Sequence, residues 1–233
     1  MTYEIGRLPD ADPAIDEAIE RLRGRSTGTL GHWKSLGYAH GLVPLLRPAH
    51  AVGEVVTARI SAFDASPVHY AVSLLEPGQI LVVDTGGEDK RAPWGGGTSY
   101  AAYQAGAAGV VVDGPVTDWD EITTMGVQTW SRGTTSLTYR ASAPEAAQAE
   151  GGVNIPVRIS GALVKPGDIA FADSDGVVFL RREDVMADGK RLVEVTMNER
   201  ETWRALAHGT KLFDVRGQRA KFEESAVRIS EER

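Results

Sequence analysis

Residues 94–118 read WGGGTSYAAYQAGAAGVVVDGPVTD. Three glycines open a turn, small residues carry a helix over 94–108, and GVVVD over 109–113 is an apolar strand of the buried type that exits through Gly114. The loop then runs to Asp118. This order brings backbone N–H groups at a helix start and a carboxylate to one edge of a sheet, an arrangement suited to an anion and a metal.

Outward from this segment the alternation continues. QILVVD over 79–84 predicts a second buried strand, behind a helix over 67–75 that ends at Glu76-Pro77-Gly78. EVVTARISA over 54–62 alternates and is rich in β-branched residues, as a strand requires. Towards the N-terminus, Asp12-Pro13 opens a helix whose apolar stripe is Ile15, Ala18, Ile19 and Leu22. Ser26 and Thr27 are candidate caps for a second short helix containing Trp33, Leu36 and Tyr38.

Downstream, a short helix over 119–124 leads to a strand at 127–130, and a small-residue segment fills 141–152. Strands at 157–159, 168–173 and 176–180 follow, separated by proline and glycine turns. Helices over 182–187 and 192–207 close the fold, and a tail of alternating charge over 211–233 reads as a solvated or subunit-covering helix. Short parallel-type strands with intervening helices, then hairpin-like strands, predict an α/β fold with a mixed sheet. No Pro/Gly/Ser-rich linker divides the chain, so one domain over 1–233 is expected, with N-terminal helices and the charged tail attached.

Composition narrows the function classes. With 42% hydrophobic residues, 233 residues can bury one substantial core. A net charge of −7 argues against a nucleic-acid partner, whose footprint is basic. The absence of cysteine excludes disulfides, thiolate metal sites and a cysteine nucleophile. No signal-peptide pattern and no apolar run of membrane-spanning length occur, so a cytoplasmic protein without a membrane partner is expected.

Three clusters have the composition of a site. Gly95, Gly96, Gly97 and Thr98 let backbone N–H groups approach an anion at a helix start, although the same turn serves as a tight connection. The lysine of a phosphate-binding loop is missing. Asp118, with Asp120 and Glu121 just behind it, suits a hard cation such as Mg²⁺ or Mn²⁺, or complements a helix dipole. Asp113, Asp168 and the Asp173-Ser174-Asp175-Gly176 stretch read as turn formers. The five histidines show no pair at metal-binding helical spacing.

In this order the pieces resemble the family that contains the regulator of ribonuclease E activity A and the class II 4-hydroxy-4-methyl-2-oxoglutarate/4-carboxy-4-hydroxy-2-oxoadipate aldolases. The resemblance rests on Val52-Gly53 with Thr57, on Ala92-Pro93-Trp94-Gly95, and on residues 106–114 closing on Asp118. Residues 164–168 and 173–178 complete the set. It implies a layered α/β/β sandwich assembling as a homotrimer or hexamer with sites between subunits. It also implies pyruvate or its enolate on the amides of Gly95, Gly96, Gly97 and Thr98, with a divalent metal anchored by Asp118. The chemistry so implied is carbon–carbon lysis of a 2-oxo acid, by aldol cleavage or decarboxylation, in which a metal stabilises the enolate.

Two positions depart from the family pattern. Thr117 stands where the family has an arginine before the aspartate, and Gly96 stands where an acidic residue often follows tryptophan–glycine. Threonine offers a hydrogen bond but no bidentate cation. Arg91 is a candidate replacement, with a solvated loop arginine as its alternative. His32 occupies a region where relatives carry a serine–aspartate pair, and reads as a reshaped pocket or as a subunit contact. The expectation is therefore a metal-dependent lyase acting on a small carboxylate. Its alternatives are a diverged lyase or isomerase on the same scaffold and a non-catalytic trimer that binds a protein.

Overall fold

The computed structural model describes residues 2–60, 64–139 and 150–226. Contacts gather the chain into two compact units, one ending at Leu192 and the other starting at Val193.

The first unit begins with strand β1 (Thr2–Ile5) and helix α1 (Pro13–Leu22). As the sequence predicts, Asp12 caps α1 by accepting from the Ala14 N–H, and Ile15, Ala18 and Leu22 are buried. Helix α2 (Thr27–Leu30) is capped by Ser26 but stops after one turn. The expected helix through Tyr38 does not form. Gly37 sits at φ +92°, where an added Cβ would lie 2.2 Å from the Phe179 carbonyl oxygen, so the chain turns there and Tyr38 enters strand β2 (Tyr38–Ala39).

Strand β3 (Val43–Pro44) precedes β4 (His50–Arg59), which starts earlier than its alternation suggests. Then come α3 (Ser66–Ser73), β5 (Ile80–Asp84), α4 (Gly96–Gln104), β6 (Gly109–Val112), α5 (Trp119–Met125) and β7 (Thr129–Ser131). The β-rich part comprises β8 (Glu150–Val153), β9 (Val157–Ile159), β10 (Ala162–Val164), β11 (Ile169–Asp173) and β12 (Val177–Leu180). The expected small-residue segment lies outside the described residues up to residue 149, as do residues 61 and 62 of the expected strand and residues 227–233 of the tail.

One sheet runs in the order β2-β12-β11-β4-β5-β6-β7-β3. The pairs β4–β5, β5–β6 and β6–β7 are parallel, whereas β11 pairs antiparallel with both β4 and β12. This is the mixed sheet the sequence predicts. Strand β4 changes neighbour midway. Its first half, His50 to Glu54, pairs with β11, and its last residues, Ala58 and Arg59, pair with β8. Strand β1 lies outside β8, and β9–β10 form a separate hairpin.

The parallel strands explain their own composition. Ile80, Val82 and Val111 pack on the β-rich layer with Val164 and Phe179, while Leu81, Val83, Val110 and Val112 pack on the helical layer with Val68, Val72 and Ala102. Every one of these side chains is buried, and each of the larger ones contributes about 1.5–3 kcal/mol relative to exposure. An exposed ion pair supplies at most about 1 kcal/mol, so apolar layering dominates. A third cluster joins α1 and the start of a long helix, α6 (Val185–Ala207), to the outer face of β11 and β12 through Ile15, Leu22, Phe171, Leu180, Val185 and Leu192.

Helix α6 replaces the two helices expected over 182–187 and 192–207. Gly189, inside this helix, is a buried packing residue whose bare Cα faces Ala18 and Arg21 of α1. The second unit contains the end of α6, then α7 (Leu212–Val215) and α8 (Arg219–Ser225), neither of which buries a residue. Phe213 and Phe222 meet edge to face at 5.4 Å, and Arg219 lies over the Phe213 ring and pairs with Asp214. Among the described residues no helix is long and apolar enough to cross a membrane.

Candidate active site

Parallel strands β5 and β6 end on the same edge of the sheet, and the segments that follow them supply the walls of a cleft. After β5 the chain passes through Ala92, Pro93 and Trp94 into α4. After β6 it passes through Gly114 and Pro115 to Thr117 and Asp118. The Thr117 N–H donates to the Trp94 carbonyl at 3.0 Å, which ties the two loops together. The cleft has a volume of about 520 Å³. Its floor is Gly95, Gly96, Gly97 and Thr98, its mouth holds Thr117 and Asp118, and Val72, His69 and Tyr139 stand on other walls.

Asp118 has a backbone conformation few residues adopt, at φ 59° and ψ 43°. Aspartate tolerates this left-handed region better than most residues, at a cost of about 1–2 kcal/mol. Its carboxylate is held from two sides. Oδ2 accepts the Gly96 N–H at 2.8 Å, and Oδ1 accepts the Thr117 hydroxyl at 3.0 Å. This approach needs bare backbone, because a Cβ on Gly95 would lie 2.6 Å from Asp118 Oδ2. The structure therefore brings together the glycine turn and the aspartate that the sequence placed on one sheet edge.

The four cradle residues are not equivalent. The Gly95 N–H is taken by the Thr98 hydroxyl at 3.0 Å, and that hydroxyl in turn donates to the Gly95 carbonyl. The Gly96 N–H is taken by Asp118. Those of Gly97 and Thr98 have no acceptor among the described residues, and they open a nine-residue helix whose N-terminal end favours negative charge. A carboxylate in the cleft thus has two unclaimed amides to bind.

Arg91 is not among the cleft-lining residues; its guanidinium pairs with Glu88 at 3.2 Å. Burial works against the ionised Glu88, but the N–H groups of Lys90 and Arg91 and the Arg91 cation outweigh it and hold its carboxyl below the usual range. No lysine or arginine lines the cleft among the described residues. His32 follows α2 and does not line it either.

Two residues the sequence did not single out do line it. His69 arrives on α3, and Tyr139 arrives on a segment bridged to Ala92, its N–H donating to the Ala92 carbonyl at 3.2 Å. Burial, with Glu88 adding and Arg91 opposing, pushes the Tyr139 hydroxyl up to about 12, so it stays protonated. Neither the Tyr139 hydroxyl nor the Trp94 indole N–H has a hydrogen-bond partner among the described residues. No periodicity marked these positions, since His69 lies on an ordinary amphipathic helix and Tyr139 in a loop.

The other acidic residues serve the fold, as their turn chemistry predicts. Asp113 accepts from the Ser160 N–H at 2.6 Å and from Arg132 Nε at 2.6 Å, fixing the β9–β10 turn. Asp168 accepts from Arg181 and from the Lys165 N–H; burial nevertheless raises its carboxyl. Asp173 binds the Thr27 N–H and hydroxyl at the start of α2.

Among the described residues no three His, Asp or Glu side chains gather as a ready ligand set. Asp118 nevertheless fits a hard cation of the Mg²⁺ type, which keeps several waters and is commonly held by one or two carboxylates. Its side chain is exposed, and each oxygen has only one donor, leaving lone pairs open.

A family model described as RraA-like, Aldolase/RraA, matches residues 14–179. An uncharacterized protein of Methanocaldococcus jannaschii is 29% identical over 179 residues, covering 76% of this chain and 83% of that protein. A 4-hydroxy-4-methyl-2-oxoglutarate aldolase of Thermus thermophilus is 33% identical over 134 residues, covering 57% of this chain and 76% of that protein. Among solved structures, Streptomyces coelicolor RraAS2, described as an unusual member of the RNase ES inhibitor RraA protein family, is alike in fold. It matches with a TM-score of 0.69 at 23% identity, over 88% of this chain and 100% of that one.

Proposed function

This chain belongs to the RraA-like family, and we propose that it is a divalent-metal-dependent carbon–carbon lyase acting on a small 2-oxo acid. The observation that carries the proposal is Asp118, held in a left-handed conformation at the cleft mouth by the Gly96 N–H, beside the two unclaimed amides of Gly97 and Thr98. The aldolase relatives support the lyase class.

In this scheme Gly97 and Thr98 bind the substrate carboxylate through their N–H groups, and Asp118 holds Mg²⁺ or Mn²⁺. The cation would draw off the negative charge that develops on the 2-oxo group as the carbon–carbon bond breaks. Thr117 orients Asp118 through its hydroxyl. Trp94, Val72 and Ala101 give the cleft an apolar lining that limits water around the reacting carbons. Arg91, paired with Glu88, has no direct part in this scheme.

A coupled assay for pyruvate, run with Mg²⁺ and with Mn²⁺ on oxaloacetate and on 4-hydroxy-4-methyl-2-oxoglutarate, tests the proposal. Turnover that disappears on chelation is expected; no pyruvate with either metal rejects this substrate class. A second reading, a diverged enzyme on the same scaffold, is favoured by one feature. The cleft carries no lysine or arginine among its described lining residues, and Thr117 stands at its mouth. Metal bound at Asp118 without pyruvate formation is the result that would favour it. The homotrimer or hexamer implied by the family resemblance is part of the same proposal, and sedimentation of the purified chain tests it.

A further inference from the structure

We propose that the Tyr139 hydroxyl is a substrate-binding donor of this cleft, and that it selects 2-oxo acids whose far end carries an uncharged oxygen over those with a second carboxylate there. The assignment rests on the cleft being the 2-oxo acid site set out above.

Tyr139 is set in the cleft wall by its backbone. Ala92 and Thr138 form a bridge, the Ala92 N–H donates to the Leu137 carbonyl at 2.8 Å, and the Tyr139 N–H donates to the Ala92 carbonyl at 3.2 Å. The segment that leads to Trp94 and the segment that leads to Tyr139 are thus paired, and both end in the lining of the same cleft.

Each of these two residues carries a donor with nothing to bond. The Trp94 indole N–H and the Tyr139 hydroxyl are shut off from bulk water and have no partner among the described residues. Buried polar groups are as a rule hydrogen-bonded, so two such donors in one wall point to an acceptor that arrives with the cleft's occupant. Side chains at a binding site commonly change rotamer when the ligand enters. A small turn of the Tyr139 ring then gives its hydroxyl the oxygen it lacks.

The character of the donors sets the class of acceptor. Burial keeps the Tyr139 hydroxyl protonated, and the ionised Glu88 acts on it more strongly than the Arg91 cation does. A second carboxylate placed there would lose its hydration, stand in a negative field and meet neutral donors. Among the described residues no lysine or arginine lines the cleft to offset that cost. A hydroxyl or carbonyl oxygen carries no such cost and still accepts the bond. Ala65, Val72 and Ala101, in the same lining, suit the carbon chain between the two ends of the substrate.

Isothermal titration calorimetry of the purified full chain with Mg²⁺ tests the assignment without reference to turnover. The probes offer no 4-hydroxyl for aldol cleavage and no carboxylate on C3 for decarboxylation. 2,4-Dioxopentanoate has one carboxylate and an oxygen on C4, 2-oxopentanoate lacks that oxygen, and 2-oxoglutarate ends in a second carboxylate. The wild type should bind 2,4-dioxopentanoate about tenfold more tightly than either of the others. Tyr139→Phe should weaken 2,4-dioxopentanoate by about five- to tenfold and leave 2-oxopentanoate within about twofold. Because the hydroxyl stabilises nothing in the fold, the same variant should melt at or slightly above the wild-type temperature without ligand. Equal losses for both ligands, or a lower melting temperature, would mean a structural role and overturn the proposal. Unchanged binding of 2,4-dioxopentanoate in Tyr139→Phe overturns it too, and a wild-type preference for 2-oxoglutarate overturns the uncharged-oxygen class. Failure of all three to bind the wild type removes the 2-oxo acid site as well. The expected binding pattern without pyruvate formation in the coupled assay rejects the lyase and leaves Tyr139 standing.

Discussion

Asp113 and Asp118 sit at the two ends of one six-residue loop, yet their surroundings are opposite. Asp113 receives Arg132 Nε, the Ser160 N–H and the Ser160 hydroxyl at 2.6–2.9 Å, and its side chain is only 13% exposed. Asp118 has an amide and a hydroxyl, no cationic neighbour among the described residues, an exposed side chain and a strained backbone. The first carboxylate is used up in holding a hairpin to the sheet. The second is held in place while its lone pairs remain open, which is what the proposed metal role asks of it. Partners, not position in the chain, separate the structural acid from the one proposed to hold a metal.

The sharpest way to break this comparison is to neutralise each aspartate. Asp118→Asn keeps an acceptor for the Gly96 N–H and tolerates the left-handed backbone. Pyruvate formation should fall at least about 100-fold while the melting temperature moves by less than about 2 °C. Asp113→Ala should do the reverse. It takes the acceptor from Arg132 Nε and from two Ser160 donors, at a cost of about 2–3 kcal/mol after allowing for the half-exposed arginine, and should lower the melting temperature by about 4–10 °C. Turnover per folded molecule should be unchanged. If Asp113→Ala abolishes turnover in folded protein, or Asp118→Asn unfolds it, the division between the two is wrong.

Smaller changes sharpen it. Thr117→Arg would set a cation beside Asp118 where the cleft now has none, and should lower KM for a carboxylate substrate by about tenfold, read from steady-state rates. An unchanged KM would mean that the substrate carboxylate lies away from position 117. Glu88 belongs to the same class as Asp113, with its charge committed to the fold. Its carboxyl is held below the ordinary range, so the stabilisation it gives is fully present above that range and is lost as pH falls through the lowered value. Glu88→Gln should therefore melt slightly below the wild type at neutral pH, and the gap should close on acidification. A gap that widens in acid would reverse the sign of the shift.

Local rules made the parallel half of the fold legible. Runs such as ILVVD and GVVV have no polar face, so only a strand covered on both sides suits them, and the glycine turn and Asp118 followed from strand order. The parts that were hidden depend on distant partners. Strand β1 is exposed at all four residues and is a strand only because residues 150–153 pair with it. Gly189 and Gly37 look alike as punctuation, yet one packs inside a continuous helix and the other turns the chain beneath Phe179. In the site, no pattern in residues 88–91 could reveal that Arg91 pairs with Glu88, and His69 and Tyr139 reach the cleft by tertiary placement alone.

Strand β4, which gives its edge first to β11 and then to β8, works as a splice between the parallel half and the β-rich half of the first unit. Neither half retains a complete hydrogen-bond ladder once β4 is released. Amide protons along its middle, at Val55 and Val56, should exchange with solvent only through global opening, and at the slowest rate in the chain.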